Sequence, residues 1–198
     1  SMPEDAIERI LAEWQKVKDS GAAGLVGLDV DQNGNLIGKE LPDSELINAA
    51  SLLCVPGMGD KKYVVRNDLL RTVAPMPVFA GEKNFNPHYL IMKLSKQYRF
   101  HPVNQCFCLV EYQPDGMTAH IWKQYVNSPR SFAELRRVIM DVPGLTWQYR
   151  LKNIIHYCSS SQIAGNRNYI KESPRKLLTV LCPPAGWMLT GYIRRKAK

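Results

Sequence analysis

Apolar positions recur at helical spacing at the start of the chain. Ile7, Ile10, Leu11, Trp14 and Val17 fall on one stripe, and Glu4, Asp5 and Glu8 suit the positive end of a helix dipole. The pattern predicts a helix from Pro3 to about Asp19, stopped by Ser20 and Gly21. The character then becomes that of strands. Leu25 to Leu41 reads as a hairpin around Asn33-Gly34, a pair that tolerates positive φ at both turn positions. Pro42-Asp43-Ser44 predicts the start of a short helix to about Leu53, and Pro56, Gly57 and Gly59 break the chain.

Further along, Cys106 to Tyr112 is rich in strand formers. Pro114-Asp115-Gly116 supplies a turn, and Met117 to Val126 reads as a returning strand. Ser131 and Glu134 stand at capping-box spacing before Phe132, Leu135, Val138 and Ile139, which predicts a helix ending near Asp141. After the tight connection Val142-Pro143-Gly144-Leu145, Thr146 caps a second helix from about Trp147 to Cys158, ended by Ser159-Ser160-Ser161. Leu177 to Cys182 and Trp187 to Ile193 read as two strands joined at Pro183-Pro184-Ala185-Gly186. These elements predict an α+β fold, with an antiparallel sheet core, flanking helices and a C-terminal helix-turn-helix or winged-helix-like subdomain. Residues 2–127 form an acidic-to-neutral region with hairpins at 25–41 and 104–126. Residues 128–198 form a basic region, and the two can be one continuous domain.

Charge sharpens that division. Residues 1–60 carry four basic and eleven acidic side chains, residues 61–127 nine and four, and residues 128–198 thirteen and three. The whole chain of 198 residues has a net charge of +8. A clustered positive field attracts polyanions, so the C-terminal third points to nucleic acid, DNA or RNA. The acidic N-terminal region would face elsewhere or meet a protein partner. Five cysteines without a short-spaced framework fit an intracellular setting, cytoplasmic or nuclear. The longest apolar run, near Ile47 to Pro56, is too short to span a bilayer, so no membrane partner is expected.

The second C-terminal helix presents two faces on a helical wheel. Trp147, Leu151, Ile154, Ile155 and Cys158 cluster on one, and Tyr149, Lys152, Asn153 and His156 on the other. The polar face suits a polynucleotide: Lys152 neutralises phosphate, Asn153 pairs with adenine, and Tyr149 stacks on a base. Asn166, Arg167, Asn168, Lys171, Arg175 and Lys176 would extend the patch, and Arg194 and Arg195 with Lys196 would add untargeted affinity.

Other chemistry is weaker. Asp29 to Glu40 satisfies the spacing of a calcium loop, but three glycines at 21, 24 and 27 argue against the helix such a loop needs, and a hairpin accounts for the same residues. Asp29 also ends an apolar strand, as the first metal ligand of a two-metal nuclease does, with Asp31, Glu45, Glu111 and Asp141 as candidate companions. Cys106 and Cys108 with His88 and His101 lack the paired short spacings of a zinc site. No phosphate-cradling loop, dinucleotide fingerprint or nucleophile elbow is present, and no cofactor is expected. The expectation is nucleic-acid binding through the basic C-terminal surface. The alternatives are a metal-dependent nuclease using Asp29 and a non-catalytic scaffolding module.

Overall fold

The structure, a computed structural model, describes residues 1–111 and 120–198. The fold is α+β, and the chain divides into two compact units. The first comprises Ser1–Ala74 and Leu94–Tyr112, the second Pro75–Lys93 and Gln113–Lys198. The charge change near residues 127–129 therefore falls inside the second unit.

The first unit is built on a three-stranded mixed sheet. Its strands are β1 (Gly24–Val30), β2 (Lys61–Val65) and β3 (His101–Leu109), in the order β2-β1-β3. β1 pairs antiparallel with β2 and parallel with β3, so the sheet is not purely antiparallel. Helix α1 (Ala6–Val17) lies where its stripe predicted, and Ile10 and Val17 pack with Leu25, Val103 and Phe107. Gly27 lets the Phe107 ring lie against β1, since a Cβ there would stand 2.2 Å from that ring. The unit also holds α2 (Ala49–Leu52) and α3 (Asn67–Val73). The helix expected after Pro42 shortens to α2, because Asn48 rather than Asp43 or Ser44 caps it, its Oδ1 accepting the Ala50 amide at 2.9 Å.

The chain turns back at Asn33-Gly34, but not with both turn residues at positive φ. The Gly34 amide closes a turn on the Asp31 carbonyl at 3.1 Å, and only Gly34, at φ +81°, is left-handed while Asn33 is not. The returning chain makes one bridge, Val30 to Leu36, rather than a full strand. Asp31 organises this turn. Its Oδ1 accepts the amides of Asn33 and Asn35, both at 2.8 Å, and its Oδ2 accepts from the Asn35 side chain at 2.9 Å. These hydrogen bonds hold its carboxyl below the ordinary carboxylate range.

The second unit is helical: α4 (His88–Leu94), whose last residue returns the chain to the first unit, then α5 (Ile121–Asn127), α6 (Pro129–Ile139), α7 (Trp147–Ile163), α8 (Tyr169–Glu172), α9 (Lys176–Leu181) and α10 (Pro183–Lys196). The hairpin expected over 104–126 is corrected here. β3 pairs with β1, residues 112–119 with the expected turn lie outside the described residues, and 121–127 is helical. Ile121, Trp122, Tyr125 and Val126 sit on one helical stripe against Phe132 and Ile193, which is why that segment coils.

The winged-helix expectation also fails at its wing. Both predicted strands are helices, because Pro183 and Pro184 open α10 at its first-turn positions instead of making a β-turn. Helices form at both expected places, although α6 starts at Pro129 rather than at a Ser131 cap, and Thr146 caps α7 by accepting the Tyr149 amide at 3.3 Å. α7 runs past the serines to Ile163, and Gly165 at φ +69° closes it as the Asn166 amide reaches back to the Ser161 carbonyl. α10 packs on α7, with Pro183 and Thr190 beside Gln162, Gly186 beside Cys158, and Leu189 sharing a groove with Ile155.

Candidate nucleic-acid interface

The residues expected to read a polynucleotide do not share one environment. α7 is the central helix of its unit, and Asn153, Ile154, Tyr157, Cys158 and Ser159 to Ser161 are all buried. Asn153 is therefore corrected from a base-reading residue to a structural one. Its Oδ1 accepts from Arg136 Nη1 at 2.9 Å, and its Nδ2 donates to the Tyr149 carbonyl at 2.8 Å. Arg136 also reaches the Tyr125 hydroxyl at 3.3 Å, so the amide belongs to a network joining α5, α6 and α7.

His156 is also turned inward. Burial, reinforced by the charges of Arg136 and Lys152, pushes its pKa down to about 4. Its ring lies 5.8 Å from that of Tyr125, and Nδ1 is enclosed with no hydrogen-bond partner among the described residues. A neutral imidazole of this kind contributes no phosphate affinity near pH 7. Trp147 fails the wheel in the other direction: placed on the apolar face, it is 68% exposed. The cause is that α7 is covered from several sides by α6, α9 and α10, so no two-faced wheel describes it.

Lys152 does project outward, 5.9 Å from the Tyr149 ring, which is itself half-buried. Trp147, Leu151, Ile155 and Leu189 line an open groove of about 420 Å³ with Lys152 and His156 at its side. In the connection after α7, Asn166 is engaged locally. Its side chain donates to Glu172 at 2.8 Å and accepts the Asn168 amide at 2.8 Å. Arg167, Asn168, Lys171, Arg175 and Lys176 are exposed, as are Arg194 and Arg195 in the last turn of α10. Arg175 has Asp141 3.6 Å away, a loose pair. Among the described residues no carboxylate lies within ion-pair distance of Lys152, Arg167, Lys171, Lys176, Arg194 or Arg195.

The acidic candidates do not assemble. Among the described residues no three His, Cys, Asp or Glu side chains gather as a metal-binding set. Asp29 is buried with Oδ1 unpartnered, and that burial raises its pKa against the lowering influence of Lys62 and Lys61. Sequence reasoning missed the exposed apolar side chains of α9 and α10, because reading those segments as strands assigned one face of each to a core. No family model, curated protein or solved structure matches the chain.

Proposed function

We propose that this protein binds nucleic acid through phosphate contacts from its C-terminal unit. The observation that carries the reading is the set of exposed cations, Lys152, Arg167, Lys171, Lys176, Arg194 and Arg195, with no neutralising carboxylate among the described residues. Cations left uncompensated by their own chain release counterions from a polyanion and gain affinity from that release. Asn153 and His156 take no part, so the contacts are to backbone phosphate rather than base edges, and binding is expected to tolerate sequence change. The acidic N-terminal stretch supports a separate role in meeting a basic protein partner. No disulfide joins the five cysteines, which supports an intracellular setting.

The test is fluorescence anisotropy with duplex and single-stranded oligonucleotides over a salt series. Binding that weakens with salt supports the proposal. Lys152→Ala, Arg167→Ala and Arg194→Ala should each flatten the duplex salt slope by ~0.9, the change expected when one phosphate is no longer neutralised. Absence of any anisotropy change at low salt would overturn it and favour the scaffolding alternative.

A further inference from the structure

α9 and α10 follow one another with only Cys182 between them, and few of their residues are buried: Thr179 on α9, and Gly186, Thr190 and Ile193 on α10. Thr179 is buried against the Ser173 hydroxyl at 2.6 Å. Gly186, Thr190 and Ile193 seat α10, with Thr190 Oγ1 2.9 Å from Ser159 Oγ. The large apolar side chains point the other way. Leu177 is 86% exposed, Leu181 76%, Trp187 65% and Met188 78%, with Leu178, Val180 and Tyr192 also open to solvent. Single exposed apolar residues are ordinary, but seven of them between Leu177 and Tyr192 on two consecutive helices are more than chance exposure accounts for.

The surrounding charge narrows what that occupant is. Residues 173–198 contain Arg175, Lys176, Arg194, Arg195, Lys196 and Lys198 and no acidic residue. Basic groups thus stand at both ends of the apolar run, at the start of α9 and in the last turn of α10. A second copy of this chain would bring these cations against their equivalents, which disfavours self-association through this face. A polynucleotide would satisfy the cations but offers nothing to Leu177, Leu181 and Met188. An anionic bilayer surface satisfies both, with acyl chains for the apolar side chains, headgroup phosphates for the cations, and an interfacial level that suits Trp187.

No helix among the described residues is long and apolar enough to cross a membrane. The mode is therefore one of lying on the bilayer. We infer that the α9–α10 face is a peripheral docking surface for anionic membranes, in which Leu177, Leu181, Trp187 and Met188 enter the interface and the flanking arginines and lysines contact lipid phosphate. The inference goes beyond the nucleic-acid reading and depends on aliphatic side chains which that reading does not use.

Co-sedimentation of the full chain tests it, using vesicles of phosphatidylcholine alone and of phosphatidylcholine mixed with phosphatidylglycerol. Binding is expected to the mixed vesicles and not to the neutral ones. Tryptophan emission should shift to the blue and be quenched by brominated acyl chains, and Trp187→Phe should remove that response. Leu181→Ser and Met188→Ser should each weaken partitioning roughly tenfold. Arg194→Gln should weaken it about fivefold. Both serine variants should leave oligonucleotide binding unchanged, which separates this surface from the nucleic-acid proposal, whereas Arg194→Gln would weaken both. Three results would overturn the inference. One is unchanged vesicle binding by the serine variants. Another is a concentration-dependent dimer in lipid-free ultracentrifugation that these variants dissolve. The last is no sedimentation with either vesicle.

Discussion

The Glu82 carboxylate closes the N-terminus of α6 on Ser131. Its Oε2 accepts the Ser131 amide at 2.7 Å and the Ser131 hydroxyl at 2.6 Å, while Oε1 accepts the Arg130 amide at 2.8 Å. The helix's own cap residue, Ser128, makes no side-chain cap bond, and its first turn holds no acidic residue. A carboxylate forty-nine positions earlier in the chain thus satisfies amides that would otherwise be orphaned. Glu82→Ala should destabilise the protein by about 2 kcal/mol, and Ser131→Ala by about half as much, since the amide bonds survive it. Guanidinium unfolding midpoints check the order.

Contact between α7 and α10 depends on the absence of a side chain at Gly186. A Cβ there would lie 2.7 Å from Cys158 Cβ and 3.3 Å from the Ser159 amide nitrogen. Gly186→Ala should therefore push the helices apart despite alanine's better helix propensity, at a cost of about 1–3 kcal/mol. Gly191 has open space around its Cβ position, so Gly191→Ala should leave stability unchanged or raise it. Thermal melts should show a lowered midpoint for Gly186→Ala and no lowering for Gly191→Ala.

His156 makes stability depend on pH. Its folded pKa of about 4 lies below the 6.5 of the free side chain. Between those values the unfolded chain binds the proton that the native state refuses, so stability is complete above 6.5 and is lost as pH falls towards 4. The loss due to this group should total up to about 3 kcal/mol. His156→Gln should flatten the change in urea midpoint between neutral and mildly acidic buffer.

Two neighbours on α7 should separate folding from binding. Asn153→Ala breaks the Arg136 and Tyr149 hydrogen bonds and deprives Nη1 of the half-buried Arg136 of its acceptor. It should cost about 2–3 kcal/mol of stability. Lys152→Ala removes an exposed group and should change stability by less than about 0.5 kcal/mol while weakening oligonucleotide binding. Circular dichroism melts paired with anisotropy measure both quantities.

Elements whose periodicity and caps agree were legible in the chain. α1 forms over its stripe, with Ile10 and Val17 buried but Ile7 and Leu11 exposed, Thr146 caps α7, and the chain reverses near Asn33-Gly34 with only the glycine left-handed. Segments with short apolar runs were not, because such runs fit either period. Ile121 to Asn127, Lys176 to Leu181 and Pro183 to Lys196 are helices whose apolar positions read equally well as strands. The capping-box spacing of Ser131 and Glu134 misled in a different way. Glu134 is engaged by Arg137 at 2.7 Å and by the Tyr89 hydroxyl at 3.1 Å, and the cap comes from distant Glu82. The parallel pairing of β1 with β3 joins segments over seventy residues apart, for which local patterning holds no signal. The candidate site was legible as charge but not as geometry, since burial of Asn153 and His156 depends on helices packing from several sides.

The polypeptide passes from one unit to the other after Ala74, Lys93 and Tyr112. No single proteolytic cut can release either unit whole, and a fragment starting at Ser128 would lack the segment that brings Glu82 to α6. Dissection by truncation would thus yield damaged pieces, and assigning activities to regions of this molecule calls for point substitutions in the intact chain.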